Sequence, residues 1–245
     1  MALINLRNAL MAGGKPTAKD YVQSGLVAMW DGIENAGWGT HDVNATTWKD
    51  LVGEQYLLIP TTASFEAYYY LSTGTSPAST AGSNTLLENC SGFTVEAVLT
   101  LDASATTIIN NSGGTGANNT ASGFQVYTYN YNNRVSSRVA FGNGTTGKWE
   151  YTAPAPSDRL SVGVPVAVST VINFQTGKTD TYHNAIVAVS SQNMSNKTIG
   201  YIINQTIRVM ANKGKLFRAA IYSRALTADE IARNYAVDKA RFGLP

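Results

Sequence analysis

Cysteine is almost absent from this 245-residue chain: Cys90 stands alone, so no intramolecular disulfide can form and no cysteine cluster can hold zinc. Stability has to come from packing. Charge is scarce as well, with Asp, Glu, Lys and Arg at 14% of residues against a usual ~25%. Solubility therefore leans on Asn, Thr, Ser and Gly, as in β-rich extracellular and virion proteins. The net charge of +2 is small and the Lys and Arg residues are scattered along the chain, which argues against a nucleic-acid footprint. No apolar run approaches the ~18 residues a membrane span needs. Residues 2–10 contain Asn5, Arg7 and Asn8 and lack the basic-then-apolar order of a signal peptide. A protein of this kind that works outside a cell is expected to leave by lysis or as part of a particle, on a virion surface or extracellularly.

What the chain does have is a 44% apolar fraction, enough for a core, arranged mostly at period two. In residues 93–101, Phe93, Val95, Ala97, Leu99 and Leu101 share one face, the clearest strand signal in the sequence. Leu26, Ala28 and Trp30 alternate in the same way, and Phe124, Val126 and Thr128 do so opposite Tyr127, Tyr129 and Tyr131. Residues 73–84 are Ser, Thr, Gly, Pro and Ala and read as loop by composition. Twelve to fourteen strands are expected, with no internal repeat. Residues 2–12 place Leu3, Leu6, Leu10 and Met11 on a helical stripe stopped by Gly13-Gly14, and Lys15-Pro16-Thr17 reads as a linker. That short helix is either an attachment or oligomerisation peg or an element packed on the body.

Near the end, Phe217, Ala219 and Ile221 alternate as a strand with one buried face. The period then changes. Thr227 and Glu230 have the spacing of a capping box, and Ala228, Ile231, Ala232 and Tyr235 form a helical stripe for a short helix. Ile221-Tyr222-Ser223-Arg224-Ala225-Leu226-Thr227-Ala228-Asp229-Glu230-Ile231 closely resembles the closing segment of laminin-G-like domains of the concanavalin A-like lectin/glucanase superfamily. Residues 93–101 resemble that family's early core strand. Residues 164–183 resemble its late hairpin, where the family usually writes Tyr-x-Asn-Gly and this chain has Tyr182-His183-Asn184-Ala185. The residues 31–39, DGIENAGWG, look like those of proteins from gut Bacteroidales and their phages. The resemblance implies an all-β jelly-roll sandwich of two antiparallel sheets over residues 20–245, behind an N-terminal helical attachment segment and linker, residues 1–19. Such a fold hosts sugar binding, protein binding, hydrolysis and structural roles, so function has to be sought in the residues.

Three chemistries can be weighed. Glucanases of the superfamily use carboxylates spaced E-x-D-x-x-E on one strand; here Glu96 has Thr94, Val98 and Thr100 beside it on its face, and Glu150 is equally alone. No enzyme is expected. Calcium could be held by hard oxygens clustered with glycines in residues 31–50: Asp31, Asp42 and Asn44, with Glu34, Asn35 and Asp50 nearby. The alternative is that these residues form turns. Many relatives also carry an acidic residue before the last strand, where this chain has Phe217-Arg218-Ala219, and that departure argues against calcium. The third candidate is a sugar platform of Tyr127, Tyr129 and Tyr131 with Gln125, flat rings for pyranose faces and an amide for hydroxyls. The alternative is a row of half-buried tyrosines. Trp38, between Gly37 and Gly39, is either a binding finger or a plug at the end of the core. The expected function is a non-enzymatic carbohydrate-binding or display module, a phage virion surface or fibre protein. Its partners would be glycans, other virion proteins through the N-terminal segment, and possible further copies of itself. A purely structural capsid decoration or protein-binding module is the alternative, and a glycan-active enzyme the third reading.

Overall fold

A computed structural model describes residues 14–73, 76–82, 85–102, 107–113, 122–129, 133–142, 147–151, 159–191, 206–211 and 213–245. In chain order the described strands are β1 (Leu26–Asp31), β2 (Thr47–Lys49), β3 (Tyr56–Leu58), β4 (Ala63–Phe65), β5 (Tyr70–Ser72), β6 (Ala78–Thr80), β7 (Gly92–Leu101) and β8 (Thr107–Gly113). There follow β9 (Ser122–Tyr129), β10 (Arg134–Gly142), β11 (Gly147–Tyr151), β12 (Val166–Asn173), β13 (Lys178–His183), β14 (Ile186–Ser191), β15 (Arg208–Val209) and β16 (Gly214–Tyr222). One α-helix, α1 (Ala228–Phe242), closes the chain, and a single 3-10 turn, Ala18–Asp20, opens the described part. The predicted helix over residues 2–12 lies outside the described residues.

The strands form two antiparallel sheets. The first runs β14-β13-β12-β7-β16-β5-β4, with β1 also paired to β16; the second runs β11-β10-β9-β8-β15-β6-β3-β2. Their inner faces meet in one apolar core. Trp48 of the second sheet packs edge-on against Phe65 of the first at 5.3 Å, and Phe93 of the first meets Phe124 of the second at the same distance. Burying each such ring contributes roughly 1.5–3 kcal/mol, so these contacts hold the layers together. The protein is a β-sandwich. The alternation read in residues 93–101 holds, since all five of those side chains lie in the inter-sheet core.

The reading of β16 needs a correction. Its register against β7 slips between Leu216 and Arg218, and such a bulge moves every later side chain to the other face. Leu216, Ala219 and Ile221 therefore enter the inter-sheet core, while Phe217 points the opposite way, against Tyr69 and Phe242. Two strands were also missed. Ala63–Phe65 was not read as a strand and Ala78–Thr80 lies inside the stretch read as loop, because three residues carry too little alternation to stand out.

The capping box forms as the spacing required: Thr227 Oγ1 accepts from the Glu230 amide, and Glu230 Oε2 accepts from the Thr227 amide. Gly243, with φ +70°, ends the helix in the left-handed conformation that suits glycine. Between the caps run 15 residues, longer than the short helix expected. Its buried residues are Ile231, Asn234, Val237 and Asp238; Ala228 and Ala232, placed on the predicted stripe, are exposed. The stripe was misread because half of the helix's inner face is polar. The stretch read as a linker is docked too: Thr17 caps the 3-10 turn, and the carbonyl of Pro16 accepts from Arg241 at 3.3 Å.

Candidate functional site

The outward face of the first sheet is closed. Thr94, Glu96, Val98 and Thr100 of β7 point away from the inter-sheet core and are all buried, because α1 and the segment before β1 lie over them. At the centre is Arg218, 1% exposed. Its Nε and Nη2 donate to the two oxygens of Asp238 at 2.8 and 2.9 Å, and Nη2 also donates to Glu96 Oε2 at 3.0 Å. Asn234 donates to the same Glu96 oxygen at 2.9 Å, Ser169 donates to the other, and Tyr21 donates to Asp238 at 2.7 Å. The Arg218 guanidinium lies 4.2 Å from the centre of the Tyr21 ring. Burial pushes the Glu96 carboxyl up and Arg218 opposes it. Burial alone would pull the Arg218 guanidinium down, but Asp238 and Glu96 raise it well above its ordinary value. Glu96 is thus one member of an internal clasp and has no path to a substrate.

The 32–46 loop is fastened to that clasp's rim. Asp31 Oδ1 accepts from the amides of Ile33 and Glu34, and its Oδ2 is 2.8 Å from Arg241 Nη2. Burial raises the Asp31 carboxyl and Arg241 holds it down. Glu34 bonds Arg241, the Ala18 amide and the Gly39 amide. Asp42 and Asn44 are exposed and form a turn of their own, in which Asp42 Oδ1 accepts from the Asn44 amide. The predicted calcium set of Asp31, Asp42 and Asn44 therefore does not converge: the buried Asp31 is engaged by an arginine and two amides. No group of three or more metal-ligating side chains gathers among the described residues. Trp38 sits at the tip of the loop, 42% exposed, with Lys19 Nζ 5.4 Å from its ring centre. It projects outward instead of plugging the core.

No described helix covers the outward face of the second sheet, and its exposure is uneven: Leu58 is exposed, Gln125, Tyr127, Arg138 and Arg208 are half-buried, and Asn110 and Ser136 are buried. Strand register places Arg138, Gln125, Asn110, Arg208, Ser79, Leu58 and Thr47 in one row across β10, β9, β8, β15, β6, β3 and β2. Their chain neighbours Val139, Val126, Ile109, Val209, Ala78, Leu57 and Trp48 fill the core, which sets the direction of the row. Arg138 Nε donates to Gln125 Oε1 at 2.7 Å, and Gln125 Nε2 donates to Thr107 Oγ1 at 3.1 Å. The Arg138 guanidinium lies 5.6 Å from the centre of the Tyr127 ring. Gln125 and Tyr127 share the face as the alternation implied, and both are half-buried. The side chain of Tyr129 and all of Tyr131 lie outside the described residues. At the other end of the row Tyr56 and Leu58 stand 42% and 45% exposed, opposite Lys49 and Thr47. Lys49 runs beside Gly37, so the Trp38 loop borders this end of the face. Six strand spacings, about 29 Å, separate Arg138 from Thr47.

The architecture has known counterparts. A sialidase of Trypanosoma rangeli superposes over 92% of this chain and 34% of its own, with a TM-score of 0.60 and 14% identity. The botulinum neurotoxin serotype D binding domain covers 86% of this chain and 50% of its own, with a TM-score of 0.61 and 14% identity. The type G receptor binding domain gives a TM-score of 0.58 at 11% identity, over 88% of this chain and 52% of its own. The fold is that of these sandwich domains. This chain spans about a third of the sialidase and about half of the toxin domains. No protein-family model matches the sequence, and no curated protein does.

Sequence reasoning missed Lys49, Tyr56, Leu58, Arg138 and Arg208 as members of this face. Strand order brings them together from distant parts of the chain, and no local spacing signals it. The outward direction of Tyr56 and Leu58 around Leu57 was the one available cue.

Proposed function

We propose that the chain is a non-enzymatic carbohydrate-binding or display module of the laminin-G-like type, carried on a phage virion surface and fastened through its N-terminal segment. The observation that carries this reading is the open face itself. It offers rings at both ends, the half-buried Tyr127 toward one and the exposed Tyr56 with Trp38 toward the other, and amides and hydroxyls between them. Rings stack on the apolar faces of sugars and amides fix hydroxyls, so this is the chemistry a glycan requires. One of the sialidase structures holds sialic acid and the toxin domains are named for receptor binding, which lends support at the level of fold. The virion setting rests on composition and on the resemblance of residues 31–39.

The absence of catalysis is part of the proposal. Glu96 is sealed at 1% exposure beneath α1, and the described side chains of the open face include no carboxylate, so the pair that most glycoside hydrolases use has no members there. A glycan array tests the whole reading. Binding that falls at least tenfold in Tyr127→Ala or Trp38→Ala supports it. Silence across a broad array hands the chain to the structural or protein-binding alternative. One observation favours that alternative: β14 is an uncharged edge strand with Ile186 74% and Val187 50% exposed, suited to pairing with another strand.

A further inference from the structure

The lysines and arginines that look scattered along the sequence are gathered in space. Lys49, Arg134, Arg138 and Arg208 all occupy outward register positions of the second sheet, and among the described side chains of that face there is no Asp or Glu. Elsewhere four cations are neutralised, Lys178, Arg218, Arg224 and Arg241, each with a carboxylate within 3.3 Å, while Lys19, Lys215, Arg233 and Lys239 have no ion pair among the described residues. On the second sheet's outward face, Arg208 and Lys49 have no ion-pair partner among the described residues. Arg208 stands half-buried at the middle of the row, between Asn110 and Ser79.

We propose that the open face takes a linear acidic polysaccharide laid across the strands, an inference that rests on the glycan-binding reading above. The spacing of the cations selects this ligand. Arg138 lies three strands from Arg208, and Arg208 three strands from Lys49, so positive charges recur about every 14 Å along the face. A nucleic-acid strand carries a phosphate about every 3.4 Å and would leave most of its charge unmatched. A polysaccharide with carboxylates at intervals fits better, because the part-exposed intervening positions, Gln125, Ser79 and Thr47, are an amide and hydroxyls suited to sugar hydroxyls. Guanidinium groups hold carboxylates by paired hydrogen bonds, so Arg208 is the anchor. The two aromatic ends then stack on sugars well separated along one chain, which a monosaccharide cannot reach.

The test measures binding of the full chain to polygalacturonate, alginate, hyaluronan and chondroitin sulfate by calorimetry. Each is paired with its carboxyl-reduced or methyl-esterified form, and poly(dT) serves as the nucleic-acid comparison. The proposal expects at least one acidic polymer to bind at least tenfold more tightly than its neutral partner. Oligomers of that polymer should gain affinity up to a length that spans the face. Arg208→Gln should lower affinity about tenfold with an unchanged thermal midpoint. Lys239→Gln, which removes the same charge on the exposed side of α1, should leave binding intact. Equal affinity for acidic and neutral forms overturns the acidic-ligand inference and leaves the glycan reading standing. Binding to none of the polysaccharides overturns both, and tighter binding to poly(dT) overturns the choice of polymer.

Discussion

On the first sheet the outward side chains Glu96, Arg218 and Tyr222 are sealed beneath a helix; on the second, Gln125, Tyr127 and Leu58 face outward with no described helix over them. Both faces carry polar and charged groups, but they use them differently. Beneath α1 every charge is out of water, where an uncompensated ion is costly, so the groups are locked to one another at 2.7–3.0 Å. The open face leaves the exposed Lys49 and the half-buried Arg208 without an ion pair among the described residues, which costs little where water reaches them. Charge that is internally satisfied is structural, and charge left unmatched on a rigid layer is where a partner can act.

That contrast can be broken most decisively at Arg218. Arg218→Met keeps much of the volume and leaves Glu96 and Asp238 buried without their cation, so unfolding free energy should fall by about 3–5 kcal/mol. Urea denaturation measures it; a loss below about 1 kcal/mol would mean that apolar packing alone docks the helix. A smaller effect concerns pH. Because burial raises the Glu96 carboxyl, the folded state keeps a proton that the unfolded chain has lost. Its contribution is full below the ordinary carboxylate pKa of about 4.5 and declines as pH rises through the folded value. Stability measured against pH should therefore show a falling limb above about 4.5 that Glu96→Gln flattens; an unchanged limb removes Glu96 as its source. The smallest effect belongs to the open face. Tyr56→Ser and Leu58→Ser should each lower stability by no more than about 1 kcal/mol, by thermal melt, since both side chains are nearly half exposed. A loss of 2 kcal/mol in either would show that another part of the chain covers the face.

The same contrast explains what was legible in the sequence. The inter-sheet core was, because Phe93 to Leu101 alternate over nine residues with no exception, and so was the cap of α1, because Thr227 and Glu230 sit at the required separation. The inner face of α1 was not. Asn234 and Asp238 look like solvent residues on a helix, and only the presence of Arg218 and Glu96 opposite them makes that face a buried one. The bulge before Arg218 was equally silent, since an extra residue leaves the composition of a strand unchanged. Of the candidate site, the alternation placed Gln125 and Tyr127 on one face, while the glycines flanking Trp38 left a finger and a plug equally open. Arg208 and Lys49 were invisible, because their neighbours are set by strand order and their own surroundings in the chain are ordinary.

The clasp also joins segments far apart in the chain. Tyr21 bonds Asp238 across 217 positions, and Trp30 of β1 pairs in register with Ala219 of β16, a strand that itself lies between β7 and β5. The last of the described strands is therefore an interior one. At roughly 5–20 residues per second, synthesis of the ~190 residues between Trp30 and Ala219 takes on the order of 10–40 s. Through that interval β7 and β1 have no partner between them, so the first sheet can close only once β16 has been made. Folding dominated by such distant pairings is slow, and for this protein the vulnerable time is the period of its own translation.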